Sequence, residues 1–367
     1  MIVGGKPYQS IWPDPSNDKV IKIINQNLLP FEFRVEEIIT SKQAKEAIQT
    51  MKVRGAPLIG ICGAYGIYLS CMEARQRKDG EDYILKCAEA LRSARPTAVN
   101  LAWAVDRIMQ KISPLDDPDE KIRVSKMEAN AMMEEEKESC YRIGQHGLEI
   151  IREISRTKNG STVNILTHCN AGWLACVDYG TATSPIYQAF DQGIPVHVWV
   201  DETRPRNQGA RLTAWELEQH GVPHTIIVDN AGGHLMQKGE VDMVIVGSDR
   251  TTRTGDVANK TGTYLKALAA SDNDIPFYVA LPSSSIDFSI RVGLKEISVE
   301  ERDPDEIRKI EGIYEGEIHS VIIMPGSSPV SNYGFDITPA RLVTGIITER
   351  GICGANEKEI TQLFPEH

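Results

Sequence analysis

The chain has 367 residues, 41% hydrophobic and 25% charged, the profile of a folded globular protein long enough for roughly two domains. Forty basic residues against 51 acidic ones leave a net charge of −11, which argues against broad binding to nucleic acid or to an anionic membrane surface. An anionic ligand must therefore be held by a local basic cluster.

The N-terminus, Met1-Ile2-Val3-Gly4-Gly5-Lys6-Pro7, lacks the apolar core of a secretory signal, and no uninterrupted apolar run reaches membrane-spanning length. From residue 16 to about 155 the pattern reads mostly as helices. Ser41 to Val53 suits a helix with Ser41 as its N-cap. Arg54-Gly55-Ala56-Pro57 interrupts it, and Pro57 fits the first turn of the next helix, whose Gly60, Gly63 and Gly66 read as close helix packing. Arg95-Pro96-Thr97-Ala98-Val99-Asn100-Leu101 is a second arginine-bearing break, followed by an apolar helix around Trp103. Residues 113–136 form a connector and then a polar-faced helix. Arg156-Thr157-Lys158-Asn159-Gly160-Ser161 is a turn-rich joint, so a mostly helical domain is expected over 1–155 and a second domain over 156–367.

Beyond the joint, short β-branched runs recur at Thr162–Leu166, Pro195–Val200, His224–Val228, Met243–Val246, Phe277–Ala280 and Val321–Met324. Helical patterns separate most of them, which is the rhythm of a Rossmann-like, doubly wound parallel α/β sheet. Neither a G-x-G-x-x-G after the first strand nor a P-loop is present, which disfavours dinucleotide and P-loop nucleotide binding. The seven cysteines form no C-x-x-C pair and suggest reduced thiols in a cytoplasm. His220 and His224 straddle Gly221 and Pro223, a break that argues against a zinc pair.

Ligands of such sheets gather at the carboxyl ends of strands. Thr167-His168-Cys169-Asn170-Ala171-Gly172 places Cys169 just past a strand and, by its pattern, before a helix whose N-terminus would favour a thiolate. His168 points to the other face of its strand, so a direct Cys-His dyad is not expected. Pro195–Val200 runs into Asp201-Glu202-Thr203-Arg204-Pro205-Arg206-Asn207-Gln208-Gly209-Ala210-Arg211, a dense local cluster suited to an anion. Val246-Gly247-Ser248-Asp249 sets a carboxyl group at the level of Cys169, where an apolar crevice would raise its pKa for general-acid work. Gly255-Asp256-Val257-Ala258-Asn259-Lys260 reads as the opening of another helix that could hold an oxyanion. Together these breaks and strand ends suit a phosphorylated small molecule between the two domains, and spacing alone leaves the reaction open.

These blocks resemble the methylthioribose-1-phosphate isomerases, which share a fold with the regulatory subunits of the exchange factor for translation initiation factor 2. The archaeal ribose-1,5-bisphosphate isomerases are also similar. Gln208-Gly209-Ala210-Arg211-Leu212-Thr213-Ala214-Trp215-Glu216-Leu217, Phe335-Asp336-Ile337-Thr338-Pro339 and Ile346-Ile347-Thr348-Glu349 extend the match from about Trp12 to the C-terminus. The resemblance implies Cys169 and Asp249 as the catalytic pair, and Arg54, Gly55, Ala56, Arg95, Gln208, Asn259 and Lys260 as substrate-binding positions. It implies a sugar phosphate substrate, a cytoplasmic homodimer in methionine salvage, no metal or organic cofactor, and an aromatic residue, Trp12, in the 5-substituent pocket. Ser248, Ser298-Val299 and Tyr333-Gly334 depart from the family pattern and leave the 5-substituent of the sugar open.

Overall fold

In the computed structural model residues 1–95 and 99–366 are described, so Pro96-Thr97-Ala98 of the second arginine-bearing break lies outside the described residues. Val163–Thr167, Val196–Asp201, His224–Ile227, Met243–Val246, Phe277–Ala280 and Gly345–Thr348 build a parallel sheet, edged by antiparallel Gly351–Cys353. By first residue, the order across the sheet is 351, 345, 277, 243, 163, 196, 224. Val, Ile and Leu fill the central positions because helices cover both faces, as a parallel sheet requires.

One expected strand is misplaced. Val321–Met324 does not enter this sheet. Its first two residues end the ribbon of Lys309–Tyr314 and Glu317–Ile322, in which Glu317–Ile322 is exposed throughout. The place in the sheet belongs to Gly345–Thr348, whose four residues are all buried. A short β-branched run looks the same in a central strand and in an exposed ribbon, so local pattern could not separate the two.

The N-terminal half contains the helices Ser41–Gln49 (α1), Ala56–Ala74 (α2), Gly80–Arg92 (α3), Val99–Ile112 (α4) and Pro118–Thr157 (α5). Thr40 rather than Ser41 caps α1, its hydroxyl accepting from the Gln43 amide at 3.1 Å. The expectation of helices from residue 16 also missed a three-stranded antiparallel sheet, Ile11–Pro13, Ile21–Ile24 and Val35–Ile38. Its strands of three or four residues are too short to carry a clear alternation. α2 is long and apolar enough to cross a membrane, contrary to the reading of the sequence, but 89% of its apolar window is buried inside the protein. It is a core helix wrapped by α1, α3, α4 and α5. A Cβ on its Gly63 would fall 2.5 Å from Leu101 Cδ1, so the glycine lets α4 lie against it. α5 runs through two cores: Ala129, Met132 and Met133 pack among the helices, while Ile143, Leu148 and Ile151 pack with the sheet.

The connections after the strands carry Ser184–Asp191 (α6), Ala214–His220 (α7), Ala231–Gln237 (α8) and Thr263–Asp272 (α9). α7 supplies the anchor for the segment after Val163–Thr167. Its Glu216, fully buried, accepts from Asn170 Nδ2 at 3.0 Å, the Leu174 amide at 2.9 Å, the Trp173 amide at 3.2 Å and the Tyr187 hydroxyl at 3.0 Å. Burial pushes its pKa up from 4.5 to about 7, and burial does the same to Glu136 on α5.

Both groups bind a proton more tightly folded than unfolded, so their stabilising contribution is complete at acid pH and is lost as pH rises through about 7. The free energy of unfolding should fall between about pH 5 and pH 7, by on the order of 3 kcal/mol per group. Glu216→Gln should remove one of the two shares. Denaturant titrations at several pH values read this, and a slope unchanged in Glu216→Gln would contradict it.

Candidate active site

The strands Val163–Thr167 and Met243–Val246 lie side by side, with Ile165 opposite Met243 and Leu166 opposite Val244. From the first the sheet grows one way through Val196–Asp201, and from the second it grows the other way through Phe277–Ala280. Their carboxyl ends therefore flank the topological switch point, where the connections diverge and leave a crevice. Cys169 follows one strand and Asp249 the other.

Cys169 does not begin a helix, as its pattern suggested. The chain turns there in the left-handed region, at φ 68°, and only a single 3-10 turn follows at Trp173–Ala175. A non-glycine residue in this conformation costs on the order of 1–3 kcal/mol. Two threonines hold it: Thr203 Oγ1 accepts from the Cys169 amide at 2.8 Å, and Thr213 Oγ1 donates to its carbonyl at 2.7 Å. Met51, Thr203 and Asn207, around the same crevice, also have positive φ. Without a helix dipole, burial dominates and pushes the Cys169 thiol up, with Arg54 and Lys260 pulling the other way. His168 pairs with Asp201 instead of the thiol.

Asp249 is placed by its own amide, which donates to the Ala258 carbonyl at 3.0 Å. Burial raises its pKa, opposed by Lys260, Arg54 and Arg95. Asn259 and Lys260 do not open a helix. They end the strand Val257–Lys260, paired with Phe335–Thr338, and the helix α9 starts only at Thr263. The carboxylate of Asp256 accepts from the amides of Gly293 and Ala340. The alternation Val257, Ala258, Asn259, Lys260 is fully buried, so polarity at its end misled the helix reading.

Arg54 comes from the turn before α2. Its guanidinium donates to the Asn170 side chain and, at 2.8 Å, to the Asn170 carbonyl, locking it beside Cys169. Gly55 has φ 95°, and a Cβ there would fall 2.4 Å from the Ala175 carbonyl oxygen, so no other residue lets this turn approach so closely. Arg95 faces Glu300 at 3.6 Å, and Lys260 Nζ donates to the Gly334 carbonyl at 2.9 Å over the Phe335 ring. Asn259 Nδ2 donates to Thr263 Oγ1.

Met51, Arg54, Gly55, Ala56, Ile59, Arg95, Cys169, Gln208, Asp249, Lys260 and Phe335 line one cavity of about 20 Å³. A second, of about 30 Å³, adds His168, Cys176, Ser248 and Asn259 around the same pair. Cys169, Asp249 and all seven expected substrate-binding residues line one or both. A much larger cavity of about 490 Å³ abuts the second through Pro57 and Pro282, but neither Cys169 nor Asp249 lines it. Opposite charges converge in the smaller space. Each small cavity holds about a water's volume, so a sugar phosphate requires the walls to part. Among the described residues, Arg95 Nε, Gln208 Oε1 and Glu300 Oε2 are buried without a hydrogen-bond partner, the condition of groups awaiting a polar ligand.

Other expectations fall elsewhere. Arg204, Arg206 and Arg211 are spent on scaffolding: they bind Ile307 O, Glu306, Glu311, Asn27 and Leu29 O, leaving Gln208 as the member of that cluster in the Cys169 cavity. Trp12 packs with Tyr8 at 6.1 Å between ring centroids, beside the stacked Phe33 and Trp215, and lines neither small cavity. Cys176 also lines the cavity beside Cys169. Met51, Ile59, Glu300 and Phe335 were not anticipated as site residues, because nothing local distinguishes them.

A family described as the initiation factor 2 subunit family matches residues 52–355. A methylthioribose-1-phosphate isomerase of Desulfatibacillum aliphaticivorans is 57% identical over 366 residues, covering 100% of this chain and 99% of that protein. The crystal structure of 5-methylthioribose 1-phosphate isomerase from Pyrococcus horikoshii OT3 superposes with a TM-score of 0.84 at 38% identity, covering 99% of this chain and 97% of that one. The structure of translation initiation factor eIF-2B, subunit delta, from A. fulgidus superposes with a TM-score of 0.78 at 35% identity, covering 98% and 100%. The chain belongs to the initiation factor 2 subunit family, among relatives named methylthioribose-1-phosphate isomerase.

Proposed function

We propose that this chain is an aldose–ketose isomerase converting 5-methylthioribose 1-phosphate to 5-methylthioribulose 1-phosphate in methionine salvage. The observation that carries this is one buried cavity uniting Cys169 and Asp249 with Arg54, Arg95 and Lys260, in a chain 57% identical from end to end to an isomerase of that name. The likeness to an eIF-2B subunit raises a regulatory role as the rival. A thiol and a carboxyl group aimed into the same cationic cavity favour the enzyme.

The phosphate on C1 masks the aldehyde, so the ring must be opened by acid. Burial raises the pKa of Asp249, which favours its protonated, acid form. Asp249 gives that proton to the ring oxygen as the C1–O bond breaks. The hydrogen on C2 moves with its electron pair to C1, and the 2-hydroxyl returns its proton to Asp249, leaving the ketone. Cys169, kept as a neutral thiol by burial, is no ready base, which favours this hydride shift over proton abstraction. Arg54, Arg95 and Lys260 hold the phosphate by charge-assisted hydrogen bonds. Gln208 Oε1 has an acceptor free for a sugar hydroxyl. Met51, Ile59 and Phe335 give an apolar wall for the methylthio group. All seven cysteines are free thiols, which fits the cytoplasm, and the acidic net charge fits a small-molecule enzyme without nucleic-acid or membrane partners. The family resemblance supports a homodimer.

Purified protein assayed on 5-methylthioribose 1-phosphate, 5-deoxyribose 1-phosphate and ribose 1,5-bisphosphate should show the highest kcat/KM on the first. Turnover of none of the three would overturn the enzymatic reading. Asp249→Asn should lower kcat by about 10²–10⁴, the range of a lost acid–base group, and Cys169→Ser should lower kcat as well. Their unfolding midpoints should stay close to that of the parent. Near-normal kcat in both would remove the pair from catalysis.

A further inference from the structure

His168 immediately precedes Cys169, and the chemistry above leaves it unused. Its side chain is fully buried, with Nδ1 2.8 Å from Asp201 Oδ2 and Nε2 3.0 Å from the carbonyl oxygen of Thr261. A carbonyl oxygen can only accept, so Nε2 carries a hydrogen. The Nδ1–Asp201 contact needs a second proton, carried by either partner. Lys266 Nζ lies 3.2 Å from the same Asp201 oxygen and also donates to the Asp229 carbonyl. His168, Asp201 and Asp229 stand close enough together to hold a metal ion, but this ammonium already supplies the cation.

The ring therefore bridges two parts of the site. Toward Asp201 it meets the strand end whose carbonyl accepts from Thr203 Oγ1, the group that holds the Cys169 amide. Toward Thr261 it meets the residue directly after Lys260. The next residue, Gly262, has φ 108°, and a Cβ on it would fall 2.9 Å from His168 Cε1, so the turn is fitted against the ring.

We propose that His168 is a positioning residue for Lys260: by clamping the Thr261 carbonyl to the Asp201 strand end, it fixes the cationic, phosphate-holding edge of the pocket relative to Cys169. This rests on the reading of Lys260 as a phosphate ligand. The two ring contacts can be separated by amide substitutions. Asn carries its amide near the Nδ1 position and keeps the Asp201 contact, whereas Gln reaches the Nε2 position and keeps the Thr261 contact.

The experiment is calorimetric titration of the full chain with inorganic phosphate, together with steady-state kinetics on 5-methylthioribose 1-phosphate. Lys260→Ala should weaken phosphate binding by at least about tenfold, the scale of one lost charge-assisted contact. His168→Asn should raise the phosphate Kd and the KM by about tenfold with kcat within about threefold, the signature of lost binding rather than lost chemistry. His168→Gln should restore both to within about threefold of the parent. If Lys260→Ala leaves the Kd unchanged, the phosphate reading of the site fails. If Lys260→Ala weakens binding but His168→Asn does not, or the two His168 variants behave alike, the positioning role is overturned. Should His168→Asn not fold, the wild type decides: in protein labelled with ¹⁵N-histidine, the His168 Nε2–H resonance should shift on saturation with inorganic phosphate, and a static resonance overturns the proposal.

Discussion

Burial of opposite charges in one dry crevice is the constraint on which the rest of this structure depends. Asp249, Lys260 and Arg95 all lose water, and each is pushed by that loss toward its neutral form. Their mutual attraction pushes back. Desolvation comes first for each of them, so the carboxyl is biased to hold a proton and the cations would gain most from a bound anion that restores their partners. A carboxyl with a raised pKa and a cluster of cations are thus produced by the same burial. Neither would survive in an exposed loop, where water would screen both.

Such a crevice has to be built from pieces far apart in the chain, and the sheet supplies the frame. Two adjacent strands bring Cys169 and Asp249 to one edge, and the turn before α2 brings Arg54 across to them. Backbone strain collects at the same place, in the positive φ values of Met51, Cys169, Thr203 and Asn207. It is held by buried hydrogen bonds such as those of Thr203, Thr213 and Glu216. A Cβ on Gly172 would fall 1.7 Å from Glu216 Oε2, so the segment after Cys169 and the carboxylate that anchors it are fitted together.

Much of this is legible in the sequence. Five of six expected strands enter the main sheet, because buried β-branched runs between helical patterns have few other arrangements. Cys169 and Asp249 stood out by lying just past strands, and Arg54 by breaking a helix with Gly55. What could not be read depended on partners distant in sequence. Arg204, Arg206 and Arg211 looked like an anion site and instead fasten residues 27–29 and 306–311. Val257–Lys260 resembled a helix start because its strand neighbour, Phe335–Thr338, lies some 75 residues away. The thiolate expected of Cys169 assumed a helix that the chain does not form. Met51 and Glu300 carry no local signal, since only the folded crevice gives them a place.

The central claim is that a buried acid and a neutral thiol move hydrogen from C2 to C1 without exchange with water. The direct measurement is turnover of 5-methylthioribose 1-phosphate in deuterated water, followed by NMR of the product. The expected result is a 5-methylthioribulose 1-phosphate with no solvent deuterium at C1. One deuterium at C1 per product formed would contradict it, and would make Cys169 a base that exchanges its proton with solvent.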